Sequence, residues 1–106
     1  MDVDGYPDDS ELQTIREWPL KARADFAALL AFVRERWSYP EYWHEEDAVD
    51  DVMGKPVTRY EISTGGWSGN EDLLGALQDN RLLWMVCWVQ SRRGGHYIFE
   101  LPEAFG

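Results

Sequence analysis

A serine, a histidine and a carboxylate make an activated nucleophile when they meet, and this 106-residue chain supplies Ser68, His96 and Glu61 or Glu71. Nothing in their spacing requires the meeting. The nucleophile-elbow pattern Gly-x-Ser-x-Gly is missing, because Gly66-Trp67-Ser68-Gly69 closes one residue early. Metal chemistry has fewer parts. His44 lies among Glu41, Glu45, Glu46, Asp47, Asp50 and Asp51. These acids do not follow the calcium-loop order of alternate acids, central glycine and closing Glu, and a lone His makes no zinc set. No metal and no cofactor is expected. The single cysteine, Cys87, sits in an apolar run and reads as a small core residue rather than a nucleophile. With no partner for an internal disulfide, it suits a reducing cytosol. Enzyme activity is the less favoured reading.

The stretch Ser63-Thr64-Gly65-Gly66-Trp67-Ser68-Gly69-Asn70-Glu71 is the most distinctive in the chain. β-Branched and aromatic residues (Val57, Thr58, Tyr60, Ile62) precede it, and Leu73, Leu74 and Leu77 follow at helical spacing. A glycine-rich loop between a strand and a helix is a place where amides can hold an anion. Ser63, Trp67, Ser68 and Asn70, with Arg92, Arg93 and His96 nearby, are the candidate ligand-binding residues. The loop matches neither common phosphate-loop pattern and contains no Lys or Arg. Its plainer reading is a tight turn that buries Trp67. Ser68 and Glu71 have capping-box spacing, so Ser68 is the expected helix N-cap. Trp67, Trp84 and Trp88 would make a stacking platform for a sugar or base. A single-stranded nucleic-acid site also needs a basic groove, for which only Arg59, Arg81, Arg92 and Arg93 are at hand.

Charge carries a second signal. The formal net charge is −10, and it is uneven: residues 1–53 hold 14 acids and 5 bases, residues 54–106 hold 6 and 5. Such a field opposes direct contact with nucleic acid, which requires cations at the phosphates. It favours a partner with a basic surface. Glu41, Glu45, Glu46, Asp47, Asp50 and Asp51 are the candidate partner-binding residues, against the plainer reading of a solvated face.

These residues need elements to position them. Residues 1–11 read as an acidic flexible tail and 12–106 as one α+β domain. Residues 12–18 add a short strand or pack on the core, and Pro19 takes a first helical position. Ala22, Phe26, Leu29, Leu30, Val33 and Trp37 predict an amphipathic helix over 20–37. Residues 39–56 read as irregular, with a turn or two of helix around Ala48–Met53. A strand is expected over 57–63 and a second, short helix over 70–79, ended by Asn80 as a left-handed cap. Residues 82–90 are apolar at both parities, which predicts a central strand covered on both faces, although the length also suits a buried helix. Ser91–Gly95 is a hairpin loop and His96–Leu101 the return strand. The expected fold is a small, mostly antiparallel three-stranded sheet in β-α-β-β order, covered by a long N-terminal amphipathic helix and the short second one. No run of 18 apolar residues marks a membrane span, and no signal-peptide pattern opens the chain.

The run Thr58-Arg59-Tyr60-Glu61-Ile62-Ser63-Thr64-Gly65-Gly66-Trp67-Ser68-Gly69-Asn70-Glu71, continued through Trp88-Val89-Gln90-Ser91-Arg92-Arg93-Gly94-Gly95-His96-Tyr97, resembles small bacteriophage- and prophage-encoded proteins of no assigned activity. The resemblance implies a bacterial host cytoplasm. Small acidic phage proteins include inhibitors of host defence, among them anti-CRISPR proteins and DNA mimics. The expected function is thus a small acidic binding protein, an inhibitor of a host nucleic-acid-handling or defence complex, which docks on a basic surface. The alternatives are a small-ligand protein or enzyme using loop 63–71, and a phage structural or accessory protein.

Overall fold

The computed structural model describes residues 7–50 and 53–103. Its elements are helices α1 (Asp9–Arg16) and α2 (Arg23–Arg36), a 3-10 turn (Pro40–Tyr42), strands β1 (Trp43–Val49) and β2 (Pro56–Ser63), helices α3 (Ser68–Asp79) and α4 (Arg81–Cys87), and strands β3 (Trp88–Arg92) and β4 (His96–Pro102). The class is α+β. The sheet is fully antiparallel with four strands in the order β1-β2-β4-β3, rather than three, and four helices are described rather than two.

Helix α2 forms because its apolar residues recur every three or four positions. Phe26, Leu29, Leu30 and Val33 are buried, and Trp37 follows them into the core. It begins at Arg23, not at Pro19: the Asp25 carboxylate accepts from the amides of Lys21 and Ala22 and so closes the first turn. Helix α1 replaces the short strand expected over 12–18. Asp8 accepts from the Glu11 amide while Glu11 accepts from the Asp8 amide, a reciprocal cap. The helix thus starts inside the stretch that composition marks as a tail. Residues 1–6 lie outside the described residues.

The Asp8 carboxyl is held below its ordinary 3.8, first by the Glu11 amide and then by the Ser10 hydroxyl. A lowered folded-state value stabilises the fold above pH 3.8, and that contribution disappears as pH falls through the folded-state value. Acid should therefore fray α1 from its first turn. NMR titration of Asp8, with the Glu11 amide shift moving in step, is the check.

One layer of helices covers one face of the sheet. Trp43, Tyr60, Ile62, Phe99 and Leu101 point into it and form a single core with Ile15, the α2 stripe, Leu73, Leu77, Leu83 and Cys87. The opposite face carries Arg59, Glu61, Ser63, His96 and Glu100, with Arg59 bridged to Glu100 at 2.7 Å. A strand apolar at both parities has no place in such a two-layer fold. Residues 81–87 form α4 instead, burying Leu83 and Cys87, four apart, and ending where β3 starts.

Strand β1 replaces the irregular segment. Acids are poor strand formers, but seven cross-strand pairs with β2, from Trp43↔Ile62 to Val49↔Pro56, override that preference. An edge strand also tolerates charge. Asn80 is no left-handed cap (φ −82°); its buried side-chain amide donates to the carbonyls of Ile15 and Trp18 and fastens α1 to the α3–α4 corner.

Candidate functional site

The glycine loop is built to hold itself. Ser68 is the first residue of α3 and Trp67 its N-cap, so the expected Ser68–Glu71 capping box is not made. Asn70 points inward at 1% exposure. Its Oδ1 accepts from the Ser38 amide at 2.8 Å, and its Nδ2 donates to the carbonyls of Ser38 at 2.9 Å and Thr64 at 3.3 Å. The loop is pinned on its other side as well. The Thr64 amide donates to Gly95, Trp37 donates to the Ser63 carbonyl, and Gly65, at φ +63°, lies where a Cβ would meet the Tyr42 ring.

Ser63 and His96 face each other across β2 and β4, with Ser63 Oγ 2.8 Å from His96 Nδ1. Arg92 pairs with His96 on the other side, so Ser63, His96 and Arg92 form one row across the sheet. Ser68 is exposed at the helix start, and Arg93 is exposed in the turn. Among the described residues no carboxylate bonds to His96, and Ser68 bonds to neither His96 nor Glu61. The Ser68–His96–carboxylate set is therefore not assembled, and Ser63 is the serine that meets His96. A groove of about 140 Å³ runs along the same face beside Arg59, Glu61, Gln90, Arg92 and Glu100.

Strand alternation puts Glu45 and Asp47 on the helix-side face of β1 and Glu46 on the other. Glu45 turns toward the helices, where it accepts from Arg34 Nη1 at 3.0 Å and from Trp43 Nε1 at 2.9 Å. Glu46 lies on the open side, 3.9 Å from His44. Glu41 and Asp47 are exposed, and Asp50 shapes the turn to β2 through backbone bonds with Gly54 and Lys55. Asp51 lies outside the described residues. Glu41, Glu46 and Asp47 thus lie open along the β1 edge, with Glu46 and Asp47 on opposite faces of the strand. Among the described residues, no group of three or more His, Cys, Asp or Glu side chains gathers as a metal site, and no helix is long and apolar enough to cross a membrane.

The opposite edge was missed in the sequence. Leu82, Met85, Val86, Trp88 and Val89 are exposed there, Met85 at 81%. Trp84 and Trp88 stack at 6.0 Å, while Trp67 stands apart at the start of α3. A cleft of about 620 Å³ lies beside Gln78, Asp79, Arg81, Trp84 and Met85. Exposed apolar residues gathered in one place mark a contact surface more often than scattered ones do. The available signal was the four-residue step from Leu83 to Cys87, which leaves the other apolar side chains of a short helix facing outward.

Cys87 is buried, and burial pushes its thiol up to about 12. A thiol in that state is a poor nucleophile. The folded protein should not react with a thiol reagent at pH 8, and one thiol should titrate after denaturation in guanidinium. Rapid native labelling would contradict the burial.

No protein-family model matches the chain, and no curated protein and no solved structure matches it either.

Proposed function

We propose that this chain is a protein-binding module that docks on a cationic surface through the β1 edge, with Glu41, Glu46, Asp47 and Asp50 as its contacts. The observation that carries the reading is the placement of Glu46 and Asp47 on an edge strand, with Glu41 in the turn before it and Asp50 just after it; Glu41, Glu46 and Asp47 are open to solvent. Edge position leaves one row of β1 backbone groups unpaired by the sheet, so a partner meets backbone donors and acceptors together with a line of carboxylates. Glu45, on the same strand, is occupied by Arg34 at 3.0 Å. At a net charge of −10, the partner is a basic protein surface rather than nucleic acid itself.

The partner class is a nucleic-acid-handling or defence complex of a bacterial host, whose cationic surface the acids occupy in place of phosphates. This makes the protein an inhibitor. The small-ligand and enzyme readings keep the Ser63–His96–Arg92 row and the groove on its face, but the glycine loop is bonded to itself and Ser68 meets neither His96 nor Glu61. The test is capture from bacterial lysate on immobilised protein. A nucleic-acid-handling complex retained at low salt and released at high salt is expected, since exposed ion pairs are screened. Retention that ignores salt would overturn the electrostatic reading.

A further inference from the structure

The exposed large hydrophobic residues of the described chain fall into two groups, one at each edge of the sheet. Tyr39, Tyr42, Val49 and Met53 flank β1, and Leu82, Met85, Val86, Trp88 and Val89 flank β3. The two edges also differ in sign. The acids above lie along β1, with Lys55 in the turn at its far end, whereas Arg92 and Arg93 stand exposed at the end of β3 with no acidic partner at ion-pair distance among the described residues.

We infer that the β1 edge of one copy docks on the β3 edge of another, so that copies associate head to tail. This rests on the reading of β1 as a docking edge for cations and names one such surface, carried by the protein itself. Strand direction alternates across β1-β2-β4-β3, so a copy displaced sideways presents its β1 antiparallel to β3 and continues the sheet. Register then matches chemistry. Strand β1 begins at the end of the sheet where β3 finishes, since Trp43 pairs with Ile62, next to the Ser63–His96–Arg92 row. The Glu41 end therefore comes beside Arg92 and Arg93. Glu46 and Asp47, on the rows of Glu100 and Leu101, come past Trp88 together with the Val49 and Met53 end, on the side of α4.

Charged edges ordinarily prevent pairing. Here they prevent only like pairing: β1 repels β1, and β3 repels β3. The bulge between Trp88 and Gln90 further limits a symmetric β3–β3 ladder. What remains is the heterologous contact, which repeats until a ring closes or the row ends.

The test is sedimentation velocity of the purified chain at physiological ionic strength. Two reversed forms are compared with the natural one: Glu41→Lys with Glu46→Lys and Asp47→Lys on β1, and Arg92→Glu with Arg93→Glu on β3. The natural chain should gain mass with concentration, and each reversed form alone should be monomeric. An equimolar mixture of the two should regain association beyond one-to-one pairs, because the natural edges meet and the two reversed edges are again opposite in sign. Glu41→Gln, and Arg92→Gln with Arg93→Gln, are milder forms if a reversal disturbs folding: each alone should associate less than the natural chain, and their mixture should stop at one-to-one pairs. A natural chain monomeric to about 1 mM, the weak end of specific affinities, would overturn the inference. So would loss of association in only one reversed form, or a mixture that stays monomeric. A monomeric chain that still captures a salt-sensitive host complex would overturn this inference alone. Self-association without such capture would overturn the host-inhibitor reading alone.

Discussion

Phe99→Ala should cost about 3–5 kcal/mol, the range for deleting a buried aromatic ring. Phe99 has no exposed surface and sits mid-sheet on β4, paired with Tyr60 on β2 and with Trp88 on β3. The Trp84 ring meets it edge-on at 5.4 Å, so it joins α4 to the sheet as well as filling the core. A domain of this size holds on the order of 5–15 kcal/mol in total, so the variant would keep only a part of its stability. Urea unfolding measures it. A change below about 1 kcal/mol would mean that α4 and the sheet do not share this core.

Asn70→Ala should cost about 2–4 kcal/mol, because it strands buried backbone groups rather than removing a surface contact. Ser38 loses a partner for both its amide and its carbonyl, and the Thr64 carbonyl loses one more. Asn70→Asp should be no better. It keeps an acceptor for the Ser38 amide but places a carboxylate against two carbonyl oxygens. The specific readout is hydrogen exchange: the Ser38 amide should lose protection before the centre of α2 does. Equal protection in the variant would show that Asn70 does not fasten the segment after α2.

Helix α2 was legible because its apolar stripe has the period of a helix, and β2, α3 and β4 because each is a short periodic run bounded by glycine, proline or a polar turn. The failures have separate physical causes. The run from Leu82 to Val89 is apolar throughout, so periodicity cannot separate a strand buried on two faces from a short helix. Only the one-sided placement of the helices decides it, and that is a property of the whole fold. Strand β1 has the composition of a solvated loop; its pairing with β2 is a tertiary fact. Asn70 and Asn80 look like a loop residue and a cap, and each bonds to backbone more than 30 positions away in sequence. The acids of the candidate site were visible as a cluster, but the bonds that tie Glu45 to Arg34 and Trp43 were not. Glu45 became part of the fold, and its neighbours stayed open.

The most direct measurement is the salt dependence of affinity between the protein and the proposed partner captured from bacterial lysate, for the natural chain and for Glu41→Lys with Glu46→Lys and Asp47→Lys. Each acid that meets a cation adds to the fall of log affinity with log salt concentration. A steep fall for the natural chain, with the reversed form binding at least tenfold more weakly and far less sensitive to salt, is the expected result. Equal affinity and equal salt dependence for the two would contradict the β1 edge as the docking surface.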